Sequence, residues 1–195
     1  GILTISTVGT SASCDFNDLQ SAINSASTGE DDLTEIRLSR DLNDQALTIT
    51  NRNLVIDGRW PSCVDDLPQL GLLHTLRGND VDTVMRFNGS GHSDGRYSVD
   101  LRSLIIRGGG ADNPFSDRGG GLRIEEGAHV DVLDSLIGDN EAVLGGGAYV
   151  FGPFARLFLS AGTILGSVGT PSLSPNRAVD LFPASAQGGG IWCGG

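Results

Sequence analysis

Short runs of alternating apolar and polar residues fill most of the chain. Glu35-Ile36-Arg37-Leu38, Leu47-Thr48-Ile49-Thr50 and Leu54-Val55-Ile56-Asp57 place an apolar side chain at every second position, the period of a half-buried β-strand, and Ile2 to Val8 alternates enough to be a first strand. Leu72–Gly78, Thr83–Gly89 and Tyr97–Arg107 continue the pattern, the last through Val99, Leu101, Leu104 and Ile106. One stretch departs from it. Between Cys14 and Ser27, Phe16, Leu19, Ala22, Ile23 and Ala26 recur at helical spacing. This predicts one short amphipathic helix with Asp15 as its N-cap and Asp18 three residues on.

The later strands belong to a unit that returns. Gly119-Gly120-Gly121 leads into Leu122-Arg123-Ile124, Gly145-Gly146-Gly147 into Ala148-Tyr149-Val150, and Gly188-Gly189-Gly190 into Ile191-Trp192-Cys193. Behind the first two come Val130-Asp131-Val132-Leu133 and Leu157-Phe158-Leu159, then Leu136-Ile137-Gly138 and Ile164-Leu165-Gly166. Strand–turn–strand–turn–strand, repeated, predicts an all-β parallel solenoid of roughly six or seven coils, with the helix capping its N-terminal end. One domain over 1–195 is expected. It has a strand-and-helix cap at 1–33, coils over 34–195, and loop excursions at 59–69, 111–118 and 167–187, where Pro, Ser, Asn and Asp concentrate. Asn140 and Asn176, each ahead of a triple glycine, are candidate rungs of a stacked amide ladder. Solvent-facing turn asparagines are the other reading.

The segment Cys14-Asp15-Phe16-Asn17-Asp18-Leu19-Gln20-Ser21-Ala22-Ile23, followed by Glu35–Leu38 and Leu54-Val55-Ile56-Asp57-Gly58, resembles the opening of right-handed parallel β-helix proteins of the pectin-lyase-like superfamily. The later Asn-then-glycine units resemble those of secreted bacterial autotransporter passengers and polymorphic outer-membrane proteins. The resemblance implies a right-handed parallel β-helix on a secreted or cell-surface bacterial protein. It implies little about activity, because such folds host enzymes, adhesins and inert scaffolds alike. Hydrolases of that superfamily carry motifs that look like Asn-x-Asp, Asp-Asp, Gly-His-Gly and Arg-x-Lys. Asp65-Asp66, His92 and Arg123 do not reproduce that spacing, and the last motif cannot form here, since all 13 basic residues are arginine. Lyases of the fold need a base, a poor role for an always-protonated arginine. An enzyme is therefore not the expectation, although a polysaccharide lyase or hydrolase stays an alternative.

A formal net charge of −11 repels phosphate backbones, so nucleic acid is not an expected partner. No run approaches the ~20 apolar residues of a spanning helix. The chain opens on Gly1 without Met and stops at Ile191-Trp192-Cys193-Gly194-Gly195 as a coil begins. A processed fragment of a longer secreted chain is expected, or a subunit that stacks end to end through that open coil. Cys14 and Cys63 flank the cap and are a candidate disulfide worth about 3–4 kcal/mol, implying an oxidising compartment; three free thiols are the alternative. Cys193 is left over.

No cofactor is expected. Calcium is the metal to consider, at Asp80-Val81-Asp82 and Asp131-Val132-Leu133-Asp134, but neither matches a calcium-loop signature. His74, His92 and His129 lack zinc spacing. Asn88-Gly89-Ser90 is a formal sequon and also a strong turn pair. Trp60, Tyr149, Phe151, Phe154 and Trp192 are either core anchors or a surface for a glycan or another partner.

Overall fold

The computed structural model describes residues 1–89, 97–110, 118–160, 162–165, 176–178 and 189–194. Strand β1 (Leu3–Val8) precedes helix α1 (Leu19–Ser25). The chain then makes successive passes of short strands. The first is β2 (Leu33–Leu38), β3 (Leu42–Gln45) and β4 (Leu47–Thr50). The second is β5 (Leu54–Asp57), β6 (His74–Gly78) and β7 (Met85–Asn88). The third is β8 (Ser98–Arg102), β9 (Leu104–Arg107) and β10 (Leu122–Glu125). Next come β11 (His129–Leu133), β12 (Leu136–Ile137), β13 (Glu141–Ala142) and β14 (Ala148–Phe151). Last are β15 (Arg156–Leu159), β16 (Ile164–Leu165), β17 (Arg177–Ala178) and β18 (Ile191–Gly194).

Each pass adds one strand to each of three parallel sheets. The first sheet runs β1-β2-β5-β8-β11-β15, the second β3-β6-β9-β12-β16, and the third β4-β7-β10-β14-β18; β13 pairs with β17 apart from them. The closed right-handed β-helix expected from the sequence is thereby corrected. The described residues form three separate parallel sheets and one helix, stacked in sets that resemble a β-helix without closing into a solenoid. The corners explain the separation. Ser103, Asp134 and Gly162 lie between the first and second sheets, and Asp80, Gly108 and Asp139 between the second and third. Asn51, Glu126, Gly127, Gly152 and Phe154 lie between the third and first, and all of these residues have positive φ. A left-handed residue turns the chain out of the extended conformation, so consecutive strands do not pair with each other. Ahead of the first pass, β1 leads into α1 and supplies only the first sheet.

Registers align the core into columns. Leu54, Val99, Val130 and Leu157 superpose across the first sheet, Leu42, Leu76, Ile106 and Ile137 across the second, and Ile49, Phe87, Ile124 and Val150 across the third. Apart from the partly buried Leu157, these are buried in one continuous cluster. Each fully buried aliphatic side chain contributes about 1.5–3 kcal/mol.

The helix begins three residues later than expected. Asp18 is its N-cap, accepting from the Ser21 amide at 2.8 Å, and that bond holds its carboxyl below the usual range. Asp15 instead accepts from the Thr7 amide (2.8 Å) and hydroxyl (3.0 Å), pinning the segment before α1 to β1. Helix α1 buries Leu19, Ala22 and Ile23. Its Gln20 side chain accepts from the Thr48 amide at 2.8 Å and donates to the Thr48 carbonyl at 3.0 Å. The amide thus satisfies an edge of β4 that would otherwise invite another strand.

Candidate functional site

The triple glycines and the asparagines solve one packing problem. Gly119 and Gly145 both have φ +65°, a conformation that favours glycine. A Cβ on Gly120 would sit 2.6 Å from the Glu141 carbonyl and 2.7 Å from that of Gly146. A Cβ on Gly121 would sit 2.9 Å from Asn140 Nδ2, and one on Gly147 2.7 Å from Asn176 Nδ2. The first glycine turns the chain, the second admits the next pass, and the third makes room for an asparagine amide. Asn140 Nδ2 donates to Asn176 Oδ1 at 3.0 Å, Asn176 Nδ2 donates to the Ile137 carbonyl at 2.9 Å, and the Gly109 amide donates to Asn140 Oδ1 at 2.9 Å. Gly189 and Gly190 accept from the amides of Gly147 (3.1 Å) and Ala148 (2.9 Å). Gly188 lies outside the described residues, as do His92, Ser90, most of the 111–118 excursion and nearly all of 167–187.

Cys14 and Cys63 form a disulfide with Cα atoms 5.2 Å apart. Cys193 is free and exposed.

On the outward face of the third sheet, Thr48, Arg86, Arg123, Tyr149 and Trp192 fall in one register column. Beside it run Thr50, Asn88, Glu125 and Phe151. The Tyr149 and Trp192 rings stack at 4.8 Å and 5°, and Phe151 lies 5.9 Å from Tyr149 and 6.3 Å from Trp192. Arg118 caps the group, 5.5 Å from the Tyr149 ring centre. Burial pushes the Tyr149 phenol up, Arg118 and Arg123 oppose the shift, and Glu125 adds to it. Tyr149 is only 1% exposed, whereas Phe151 is 40% exposed, so Tyr149 supports a ladder whose accessible rings are Phe151 and the half-buried Trp192. Trp60 does not join them. It is buried, with the Arg37 guanidinium 3.7 Å over its ring. Phe154 is exposed at a corner of positive φ. Arg118 gave no signal in the sequence, because it lies outside the strand periodicity.

No protein-family model, curated protein or solved structure matches the chain.

Most charged groups near the strands are engaged with one another. Glu35 pairs with Arg37 (2.9 Å), Asp57 with Arg59 (2.6 Å), Asp100 with Arg102 (2.6 Å), Glu125 with Arg123 (2.8 Å) and Asp139 with Arg107 (2.8 Å). His74 lies between Asp41 (3.3 Å) and the Trp60 carbonyl (3.1 Å). Asp65 accepts from the Ser62 hydroxyl within its loop, apart from Arg123 on the third sheet. Asp80 faces Arg77, Asp82 accepts from Asn79, and Asp134 forms a corner. Among the described residues, no three His, Cys, Asp or Glu side chains converge on a point that could hold a metal.

Asp131 is the carboxylate under strain. It stands in register with Asp100 on the neighbouring strand. Burial pushes its carboxyl up, Asp100 adds to the shift, and His129 opposes it. The folded state therefore holds this proton more tightly than the unfolded chain. Stability falls as pH rises from the ordinary carboxylate value of 3.8 through the raised folded value. Asp131→Asn is expected to stabilise the protein at neutral pH by roughly 0.2–1 kcal/mol, the scale of a like-charged cross-strand pair. The gain should vanish once Asp131 is protonated in both states. Urea denaturation at neutral and strongly acidic pH checks this; an equal gain at both would assign the effect to something other than charge.

Proposed function

We propose that this chain is a non-catalytic structural and adhesive module of a secreted or cell-surface protein, and that it binds carbohydrate through the aromatic ladder of its third sheet. The observation that carries the reading is the ladder itself. Phe151 and Trp192 offer apolar ring faces of the kind that stack on sugar rings, held in place by buried Tyr149. Arg118, Arg123 and Glu125 stand beside them to orient hydroxyl or carboxylate groups. Aromatic faces supply contact area at small entropic cost, and flanking polar groups supply orientation. The disulfide supports an oxidising compartment, as does the likeness of the Cys14–Ile23 segment and the glycine units to secreted bacterial surface proteins. The mutual pairing of strand carboxylates and arginines supports a structural over a catalytic use of those charges.

A glycan array followed by NMR titration tests the proposal. A ligand should shift the Trp192 indole resonance, and Trp192→Ala with Phe151→Ala should weaken binding by about tenfold or more, given about 0.5–1.5 kcal/mol per aromatic contact. Binding that survives both substitutions, or an array with no hits, would overturn it.

A further inference from the structure

The connection between β5 and β6 has the form of a rigid protruding loop. The Gln69 amide donates to the Arg59 carbonyl at 2.7 Å, closing residues 59–69 at their base. Trp60 is buried beneath Arg37 at one foot, and Cys63 is tied to Cys14. Compact loops with joined ends are frequent carriers of function. Outside this anchored base, Val64, Leu67 and Leu70 are 69, 78 and 87% exposed, with Asp65 and Asp66 between the first two. Large apolar side chains held in water on a braced loop mark a contact surface. The bracing also lowers the entropic cost of binding.

A complementary shape lies at the far end of the stack. An opening of about 770 Å³ is lined by Val150, Leu157, Phe158, Leu159 and Ile191, with Arg156 at its side. Phe158, Leu159 and Ile191 are exposed there. Arg156 is exposed and makes no ion pair among the described residues, and no acidic residue lines the opening among them.

We propose that the 59–69 loop, with Leu70 at its edge, docks into this opening on a second copy of the chain, placing Asp65 and Asp66 against the partner copy's Arg156. An acidic apolar knob meets a basic-sided apolar socket, and the charges match in a chain whose overall charge of −11 otherwise disfavours self-contact. Knob and socket are different surfaces, so the contact is heterologous and propagates into chains or rings instead of stopping at a two-fold dimer. The contact uses residues other than the aromatic ladder, so assembly and carbohydrate binding can fail independently.

Sedimentation velocity over a wide concentration range tests the contact, in a Cys193→Ser background that removes thiol cross-linking. The mass should rise with concentration past that of a dimer. Val64→Ser with Leu67→Ser should abolish the rise while leaving the melting temperature unchanged, since both side chains are in water. Arg156→Asp should weaken association by about tenfold, and adding Asp65→Arg and Asp66→Arg should restore it. A mass that stays monomeric throughout, loop variants that associate as the parent does, or a charge swap without rescue would each overturn the proposal. A rise abolished by Arg156→Asp yet indifferent to the loop would place another segment in the socket and overturn it equally.

Discussion

Asn140→Ala is expected to lower the unfolding free energy by about 3–4 kcal/mol, because it strands several buried groups at once. The residue is 1% exposed. Its Oδ1 receives the Gly109 amide at 2.9 Å, and its Nδ2 lies 3.0 Å from the carbonyls of Ile106 and Gly138 and from Asn176 Oδ1. Each buried group left without a partner costs about 1–3 kcal/mol, and the side chain is shut off from the surface. Asn140→Asp is expected to be worse at neutral pH. It keeps the acceptor for Gly109 but turns a carboxylate toward three oxygens. Acidification should recover part of that loss, because protonation restores one donor. Asn176→Ala should cost less than Asn140→Ala, since Asn176 is only half-buried. Urea denaturation of the three variants gives the ranking. A cost below about 1 kcal/mol for Asn140→Ala would mean that the ladder is incidental to the stack.

Replacing both Cys14 and Cys63 by serine is expected to cost about 3–4 kcal/mol, close to 10 °C in melting temperature for a chain of this size. The bond spans 49 residues, and its loss releases the unfolded chain from a long closed loop. Reductant should reproduce the effect in the parent protein and leave the double variant unchanged. A shift below about 2 °C would show that Asp15 on Thr7 and Gln20 on Thr48 hold the cap unaided.

Much of the strand layout was legible in the sequence, and the reason is local. A period of two tells which face of a strand is buried, and Ile36, Ile56, Leu101 and Val132 stand in one register column as that period requires. The same period says nothing of how sheets meet. The corners rest on residues such as Ser103, Glu126 and Asp134 in left-handed conformation, and their side chains carry no strong turn signature. Closure into a solenoid was for that reason the step that failed. The N-cap was misplaced because Asp15 and Asp18 are equally good caps by residue type. Tertiary contact with Thr7 decides between them. Tyr149, Phe151 and Trp192 could be named from the sequence but not sorted, because burial of Tyr149 depends on Arg118 and on strands one pass of the chain away.

The disulfide has a further consequence under mechanical load. A molecule held at a surface and pulled from its ends would come apart pass by pass, since each pass is joined to the next by a short parallel ladder. The chain from Cys14 to Cys63, a sequence separation of 49, cannot lengthen in that process. At about 3.4 Å per residue it withholds roughly 170 Å of extension. Reduction of one covalent bond therefore sets how far the molecule can stretch before it yields completely.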